Sequence, residues 1–469
     1  MSGFVQPMIN LGERAVVSLS PWRYREWLWF GLVALLLLAG NLLGSFGAAG
    51  IFGGYLFSLS LLGLAAPRRL LEVFIFLLAL GHRDFAYTAL KVGPANLYIT
   101  EWVLLILMMA AAPRIADMWR KYRPVLLALG LYAGLGLVFF WLSCRYWPLG
   151  PVVRDFTIVY YALFTVAALA FMRDAEDVNR LFIAMLAGSL FNLGSDMLNY
   201  LYGTFPATLE QKNYSLRSSF YYVICAAYFM PGLLSLKRKL RFGAVAYVAA
   251  VFVVVLLYAY SKTAMAAILL ISAINIAVMA KRVRMEVLIA IIVAFMLSLV
   301  ITPQAKTFKF SSLFAPQWAS EDSRAMLRTA ALWDFSEYPY GIGFGAPIFG
   351  RHSRELLLEP DDFHAIHNSY LTVLRRMGIE GAAALFALFA LAFHGVYRVW
   401  RSNAENHDAW LTPFAVLLGF IAAGVFAAAH VVLEGPFFGA VFWLLLGAVF
   451  AATHAYNQPE ASATHSPEP

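Results

Sequence analysis

Long apolar blocks alternate along the chain with short polar segments. A helix needs about 20 apolar residues to cross a bilayer, and lipid offers its backbone groups no outside hydrogen-bond partner. The pattern therefore predicts an all-α, polytopic integral membrane protein. Clear examples of the blocks are WLWFGLVALLLLAG at 27–40, GAVAYVAAVFVVVLLYAY at 243–260, VLIAIIVAFMLSLVI at 287–301 and FAVLLGFIAAGVFAAAHVV at 414–432.

Basic clusters between the apolar blocks predict the orientation in the membrane. The sequences RIADMWRKYRP (114–124), KRKLR (237–241) and KRVR (281–284) are assigned to the cytoplasm, because short cytoplasmic loops carry an excess of Lys and Arg. Threading helices outward from these clusters predicts about 12 to 14 transmembrane helices. The apolar segment 70–81 is short for a crossing. The opposite side is the periplasm if the host is a Gram-negative bacterium.

The same threading divides the chain into five regions, one of which is a large loop. Loops in compact proteins are short, so a loop of this length indicates a functional segment or disorder, and its many aromatic residues argue against a plain disordered linker. The first region lacks the pattern of a cleavable signal. The predicted regions are 1–26, a cytoplasmic N-terminal segment; 27–302, transmembrane helices with short loops; 303–365, a large periplasmic loop containing short helices; 366–456, C-terminal transmembrane helices; and 457–469, a disordered cytoplasmic tail.

Composition agrees with the membrane assignment and removes one alternative. The chain is 61% hydrophobic and only 13% charged, whereas a soluble domain is about half apolar and a quarter charged. A net charge of +8 raises the question of nucleic acid, but the basic residues lie in loops beside apolar blocks, so no nucleic-acid partner is predicted. Cys144 and Cys225 show no metal-ligand spacing and are interpreted as packing residues.

An amphipathic helix is predicted over SEDSRAMLRTAALWDF, residues 320–335, inside the large loop. Arg324 and Arg328 are four residues apart and therefore share one face. One interpretation is a surface helix that lies in the headgroup region and snorkels its arginines. The other is a diphosphate clamp, since each guanidinium offers a fork of donors. The apolar face would consist of Met326, Ala330 and Trp333.

Two further segments carry weaker signals. EYPYGIGFGAP (337–347) has glycines that allow tight turns and close approach to a ligand, yet no strand–turn–helix context for a dinucleotide. Lys262 in YSKTA lies at the external edge of an apolar run, where an ionisable group is costly unless it snorkels, is paired or is functional. The neighbouring hydroxyl residues Ser261 and Thr263 favour an anion-binding position.

The stretch DDFHAIHNSYLTVLRRMGIEG (361–381) places two histidines at the mouth of an apolar helix. His364 and His367 are three residues apart. A zinc site would have to recruit Asp361 or Asp362, and no His-Glu-x-x-His pattern or third ligand is evident, so no metal is predicted. The remaining interpretations are a helix cap or packed polar group, and a proton-handling group at the membrane surface.

The residues of this stretch resemble the signature of the O-antigen ligases. His367-Asn368 is followed, after nine residues, by Gly378-Ile379-Glu380-Gly381. Upstream, Arg324 and the Pro339-x-Gly341-x-Gly343 turn resemble the family's Arg…Trp…Pro-x-Gly-x-Gly segment. YSKTA stands where the family has Ser-Arg-x-Ala, so Lys262 replaces an arginine, keeping the charge and losing the bidentate fork. The resemblance covers about residues 255–390.

The resemblance implies a membrane glycosyltransferase of the O-antigen ligase/polymerase superfamily, with a fold of the GT-C type. Such an enzyme takes a glycan carried on undecaprenyl diphosphate and passes it, without metal or other cofactor, to an acceptor hydroxyl of a glycan or of the lipid A core. Its implied partners are these two substrates, membrane lipid, and a flippase and chain-length regulator. The implied setting is the bacterial inner membrane, with the site on its periplasmic face.

The expected roles combine this resemblance with the residue chemistry. His367 would orient or deprotonate the acceptor hydroxyl, with His364 in a supporting position, and cations would stabilise the leaving diphosphate. Arg375 and Arg376 lie about two turns deeper than His367, and we expect them to face a polar groove near the diphosphate. The expected catalytic residues are His367, Arg324 and Lys262, and the expected substrate-binding residues are Asn368, Arg217, Arg328, His364, Tyr338, Gly341, Gly343 and Arg376.

Three functions remain open at this point. The first is polymerisation of exopolysaccharide or O-antigen repeat units, which we favour slightly because of the Lys262 departure and the extra N-terminal helices. The second is ligation of finished polymer to the lipid A core, or a related protein O-glycosylation. The third is transport. Transporter sites lie near the bilayer midplane, commonly between repeated halves, whereas the polar features here concentrate at one membrane edge.

Overall fold

The protein forms a bundle of α-helices. The structure, a computed structural model, describes residues 47–92, 95–201, 209–234, 238–257, 262–279, 318–347, 366–403 and 407–457. Fourteen α-helices lie in this part of the chain. They are α1 Gly47–Ala65, α2 Pro67–Ala86, α3 Ile99–Ala111, α4 Ile115–Ser143, α5 Leu149–Tyr160, α6 Leu163–Phe171, α7 Ala175–Leu201, α8 Leu209–Phe229, α9 Arg238–Leu257, α10 Lys262–Met279, α11 Trp318–Glu337, α12 Ser369–Ser402, α13 His407–Ala429 and α14 Pro436–Asn457.

Six helical stretches in the described part of the chain are long and apolar enough to cross a membrane. The chain is therefore an all-α polytopic membrane protein, as the sequence predicts. The predicted total of 12 to 14 crossings stays a prediction, since the apolar blocks at 27–40 and 287–301 lie outside the described residues. The six stretches are Ile99–Ser143, Leu149–Phe171, Ala175–Leu198, Ser369–Ser402, Ala409–Ala429 and Pro436–Tyr456.

The last helix, α14, forms the centre of the bundle. It packs against α6 and α13 and also contacts α12 and α2. Trp443 and its neighbours on every face of α14 are buried, which fits a helix that is apolar all round. Helices α4 and α12 instead expose large apolar side chains such as Trp141 and Phe386. Because lipid is as apolar as these residues, such exposure marks membrane-facing surfaces.

A small β-hairpin precedes α3 and was not predicted from the sequence. Strand β1 (Ala89–Val92) pairs antiparallel with β2 (Ala95–Tyr98). The hairpin satisfies backbone groups where α2 has ended and α3 has not begun. The backbone N–H of Tyr98 then donates to Glu101 Oε2 over 2.8 Å and helps to cap α3.

Several loops and helix ends meet at one end of the bundle. We call this the loop-rich end, and define it by residues 87–92, 95–98, 143–155, 262–263, 338–347, 366–369 and 430–437. Its contacts bring together Tyr87 with Phe437 (ring centroids 6.0 Å apart), Phe344 with Ser143 (2.7 Å from N to Oγ) and Thr263 with His430 (3.1 Å from Oγ1 to Nε2).

The amphipathic helix predicted over 320–335 is confirmed as α11, Trp318–Glu337. Trp333 is 36% exposed. The buried face follows helical spacing through Leu327, Ala330, Ala331 and Asp334. Asp334 on this buried face pairs with a buried arginine on α12, while Trp333 lies on the outer side of α11.

Candidate active site

His367 lies immediately before α12, in a backbone conformation that side chains seldom adopt. Its φ of +52° is the only positive φ of a non-glycine residue in the part of the chain that the structure describes. Left-handed backbone costs roughly 1–2 kcal/mol for a residue with a side chain, and such residues concentrate at functional sites. His367 is partly exposed at the loop-rich end.

Asn368 caps α12. Its backbone is extended, at φ −156° and ψ 102°, and its Oδ1 accepts hydrogen bonds from the N–H groups of Tyr370 and Leu371, both over 3.1 Å. An N-cap satisfies donors that the first helical turn cannot pair internally. The arrangement therefore favours a role for Asn368 in holding the His367 turn over the direct contact with substrate expected from the sequence.

Ser369 ties this turn to the loop between α13 and α14. The N–H groups of Val432 and Leu433 donate to Ser369 Oγ over 2.9 and 3.0 Å. The single hydroxyl proton has two acceptors within reach, Glu434 Oε2 at 2.9 Å and the His430 carbonyl oxygen at 3.2 Å. The shorter contact makes Glu434 the better acceptor. The start of α12 is thus fixed to residues 430–434.

Glu434 adds a titratable group beside the His367 turn. The residue as a whole is partly exposed, but its carboxyl group lies inside the protein. Burial of the carboxyl group raises its pKa, hydrogen bonds from Thr372 and Ser369 act in the opposite direction, and the negative charge of Asp155 raises it further. A carboxyl group with a perturbed pKa at such a position is a candidate functional group.

His430 connects the loop-rich end to the start of α10. Its Nε2 lies 3.1 Å from Thr263 Oγ1, and its ring is largely buried. Thr263 follows Lys262, the first residue of α10. Since the His430 carbonyl also lies within reach of Ser369, the structure brings the backbone of Lys262 to the same end of the bundle as His367.

Helix α11 lies against the His367 turn through a small apolar cluster. Leu327, Ala330 and Ala331 of α11 pack with Ile366, the residue before His367, and Leu371 of α12 packs against them. Arg328 follows Leu327 directly and is partly buried. Arg324 lies one turn earlier on the same helix. The structure therefore brings the helix of the two predicted cations next to the predicted base.

The predicted Pro-x-Gly-x-Gly turn fits into a break in α12. Gly378 has φ +66° and ψ −165° and interrupts the helix. The N–H groups of Ile342 and Gly343 donate to the carbonyl oxygens of Arg375 and Arg376, over 2.9 and 3.1 Å, and Ile379 N–H donates to the Pro339 carbonyl over 3.0 Å. The turn thus forms hydrogen bonds with the N–H and carbonyl groups that the break leaves unpaired in α12.

Gly341 and Gly378 make this contact sterically accessible. A Cβ at Gly341 would lie 2.6 Å from Gly378 N, and a Cβ at Gly378 would lie 2.3 Å from the Tyr340 carbonyl carbon. Both clashes are with backbone, which has little room to move. Gly341 and Gly343 therefore shape the turn, and the substrate-binding role expected for them stays a prediction.

Arg375 and Arg376 do not face an open groove. They are 1% and 5% exposed. Arg375 Nε donates to Asp334 Oδ2 over 2.6 Å, and Arg376 Nη2 lies 2.5 Å from Asp155 Oδ2. Burying a guanidinium is costly unless it is paired, and each of these pairs supplies that compensation. The arrangement favours a structural role for Arg376 over the diphosphate contact expected from the sequence.

Other predicted residues lie near the same end of the bundle. Tyr338 is exposed, and Tyr340, which was not predicted as a site residue, is 70% exposed, so both rings are available for stacking. Arg217 is partly buried on α8. Phe220, one turn further along α8, packs its ring 5.3 Å from Phe426, close to the loop that contains His430.

Some predicted features lie outside the described residues. His364 and the Asp361–Asp362 pair belong to this group, and so do the side chains of Lys262 and Arg324. Among the residues that the structure describes, no group of three or more His, Cys, Asp or Glu side chains could hold a metal ion. The expected roles of His364, Lys262 and Arg324 stay predictions.

Comparison with known proteins supports the resemblance seen in the sequence. A family model described as O-Antigen ligase matches residues 246–386. No curated protein matches the chain significantly. Residues 246–386 are thus similar to the O-antigen ligase family, and this similarity supports a membrane enzyme of the O-antigen ligase/polymerase type. The match contains the YSKTA segment, α11, the Pro-x-Gly-x-Gly turn and the His367 turn.

Four polar residues that sequence reasoning missed help to build the site. Asp155, His430 and Glu434 lie outside the matched region, and Asp334 lies inside it. Their positions in the sequence were the one signal that could have identified them. Each is a titratable residue that lies at the predicted outer end of an apolar segment or on the loop helix. Such residues are costly in or near lipid unless they are paired or functional, and the pairing partners became evident only in three dimensions.

Proposed function

We propose that the protein transfers a glycan from undecaprenyl diphosphate to an acceptor sugar hydroxyl at the periplasmic face of the inner membrane. The observation that carries this proposal is the strained His367 turn, which lies beside the arginine-bearing helix α11 and inside the region of the family match. A base and cations side by side suit a reaction in which a hydroxyl loses a proton and a diphosphate leaves.

The proposed step has one nucleophile and one leaving group. His367 accepts the proton of the acceptor hydroxyl, and the acceptor oxygen attacks the anomeric carbon of the donor glycan. The bond from that carbon to the diphosphate oxygen breaks, and undecaprenyl diphosphate leaves with the electron pair. Attack from the side opposite the diphosphate inverts the anomeric centre. A positioned base contributes typically ~10²- to 10⁴-fold to such a step.

Lys262, Arg324, Arg328 and Arg217 are the proposed partners of the diphosphate. Arginine offers a planar fork of donors to phosphate oxygens, and lysine offers a compact charge. Support for Arg324 and Arg328 comes from the packing of α11 on Ile366. For Lys262 it comes from the Thr263–His430 contact at the start of α10. The exposed rings of Tyr338 and Tyr340 are proposed to stack on sugars.

Polymerisation of repeat units is the favoured version of this reaction, and ligation to the lipid A core is the second. The similarity to the O-antigen ligase family favours the second version. A deletion strain separates the two. Single-repeat surface glycans in the deletion strain indicate a polymerase, whereas full-length polymer retained on the lipid carrier indicates a ligase.

The direct test is reconstitution of the purified protein in liposomes with lipid-linked repeat units, with products resolved by length. Transfer of glycan and release of undecaprenyl diphosphate are the expected results. Counterflow of a small solute without any glycan transfer would instead identify a transporter. A flippase and a chain-length regulator, the proposed partners in the cell, are omitted from this test so that the chain's own activity is measured.

A further inference from the structure

The broken outer part of α12 joins the two halves of the candidate site. One half is the His367 turn at the start of α12. The other is α11, which carries Arg324 and Arg328. The two helices are connected at two places: the apolar cluster around Ile366, and the buried pair of Arg375 with Asp334.

We propose that Arg375 is a positioning residue that fixes the arginine-bearing helix α11 relative to His367. The proposal rests on the proposed function, because the separation between base and phosphate-binding cations is what the pair would control. Along α12, Arg375 lies eight residues after His367, or about 12 Å at 1.5 Å per residue. Along α11, Asp334 lies six residues after Arg328, or about 9 Å.

Because of these lengths, a small change of angle at the Arg375–Asp334 pair displaces the proposed catalytic groups noticeably. A tilt of about 5° at the Arg375 contact displaces a group about 12 Å away by roughly 1 Å, and a displacement of that size costs up to about 100-fold in rate. A buried ion pair is directional, since the guanidinium must meet its carboxylate in one geometry. Apolar contacts alone, as in the Ile366 cluster, permit small rotations that this pair excludes.

A second hydrogen bond of Arg375 also holds the segment that follows the Pro-x-Gly-x-Gly turn. Its Nη2 donates to the Pro347 carbonyl over 2.6 Å. Arg376 holds the same segment from the next position, since its Nη1 donates to the Ala346 and Gly343 carbonyls over 2.7 and 3.2 Å. The exposed Tyr338 and Tyr340 belong to this segment. The tandem arginines therefore orient both the cation helix and the aromatic rings proposed to meet the sugar.

Arg376 also anchors this assembly to the transmembrane bundle. Its partner Asp155 lies on α5, and Asp155 Oδ2 additionally accepts the Gly345 N–H over 2.9 Å. The carboxylate of Asp155 thus connects the segment that contains Gly345 to the transmembrane bundle. Arg375 sets the position of α11 on α12, and Arg376 sets the position of the turn on α5.

Steady-state kinetics of purified variants test the proposal. Arg375→Gln and Asp334→Asn each remove one charge and retain polar side chains of similar size. We expect kcat per folded enzyme to fall about 10- to 100-fold. Arg375→Lys keeps the charge for Asp334 and loses the fork that also reaches Pro347, so we expect a partial recovery relative to Arg375→Gln.

The matched control is Asp177→Asn. Asp177, whose side chain is buried, forms an ion pair with the partly exposed Arg68, on α7 and α2, and neither residue belongs to the loop-rich end. This change should lower thermal stability while kcat and KM per folded enzyme stay at wild-type values. If Arg375→Gln behaves in the same way, the pair only stabilises the fold and the proposal is overturned.

A distance measurement tests positioning without any glycan donor. Spin labels at Leu332→Cys on α11 and Ile379→Cys on α12 report the relation of the two helices, in a background where Cys144 and Cys225 are changed to Ser. Both labelled positions are exposed. We expect Arg375→Gln to broaden or shift the distance distribution, and Asp177→Asn to leave it unchanged.

The two measurements separate failure of this inference from failure of the proposed function. An unchanged distance distribution in Arg375→Gln overturns positioning, whatever the activity is. A changed distribution in a protein that transfers no glycan keeps the positioning of α11 and rejects the proposed reaction.

Discussion

Replacing Gly378 with alanine is expected to separate the Pro-x-Gly-x-Gly turn from α12. Gly378 has φ +66° and ψ −165°, a region that is essentially restricted to glycine. A Cβ there would lie 2.3 Å from the carbonyl carbon and 2.6 Å from the Cα of Tyr340. Both neighbours are backbone atoms, so the turn has to move away as a whole.

The size of the effect follows from what that movement breaks. The backbone conformation costs an alanine about 1–3 kcal/mol. Three hydrogen bonds join the turn to the break, from Ile342, Gly343 and Ile379, and each contributes roughly 0.5–1.5 kcal/mol net. The sum is about 2.5–7.5 kcal/mol, which is a large part of the 5–15 kcal/mol that typically separates folded from unfolded protein.

Thermal unfolding of purified protein in detergent measures this loss, and Gly395→Ala provides the control. Gly395 lies on the same helix, and a Cβ added there would meet its nearest neighbour, Thr453, at an ordinary contact distance of 3.4 Å. Alanine is also the better helix former at such a position. We expect a much lower unfolding midpoint and loss of transfer for Gly378→Ala, and near-wild-type behaviour for Gly395→Ala. Equal midpoints for the two variants would refute the close approach of the turn to α12.

Three further predictions concern the reaction and its pH dependence. Arg324→Lys should lower kcat/KM about 10- to 100-fold, because a lost charge-assisted hydrogen bond costs about 1.5–3 kcal/mol, and Arg328→Lys should have the smaller effect. Chelators should leave transfer intact, as measured by product yield with and without chelator. Glu434→Gln should stabilise the protein at pH 8. The pKa of Glu434 is raised above its ordinary value of 4.5 in the folded state. At a pH above 4.5 the unfolded protein therefore ionises this carboxyl group more easily than the folded protein, which lowers the free energy of unfolding. Gln keeps an acceptor for Ser369 and does not ionise.

Each of these predictions has a contradicting outcome. Equal tolerance of lysine at Arg324 and Arg328 indicates that both arginines only snorkel at the membrane surface. Activity lost to a chelator and restored by zinc revives a metal site that includes His364. For Glu434→Gln, the stability gain should vanish as the pH falls toward 4.5, and a gain that is independent of pH would show that ionisation is not its cause.

The helical class and the segments of the candidate site could be predicted from the sequence because each has a local signature. Apolar length predicts spans through the backbone's need for internal hydrogen bonds, and helical spacing predicted α11. The His367-Asn368 pair and Gly378 stand at fixed separation in the sequence. These signals depend on one segment at a time and need no knowledge of what it packs against.

The remaining features could not be predicted because they arise between distant segments. The sequence predicts that Arg375 faces a groove, because its actual partner, Asp334, lies 41 residues away in the chain. The pattern of α11 also gives no information on this ion pair. The contact of Gly378 with Tyr340 likewise depends on a helix break whose partner lies 38 residues earlier in the chain.

The proposed role of His367 in handling the proton of the acceptor hydroxyl is tested most directly by the His367→Ala variant. The assay is transfer in liposomes from purified lipid-linked repeat units, with products resolved by length. His394→Ala is the control, since His394 lies on the same helix and is exposed. We expect at least about 100-fold slower transfer for a His367→Ala protein that unfolds at the wild-type temperature, and wild-type transfer for His394→Ala. Unchanged product yield and length with His367→Ala would contradict this role.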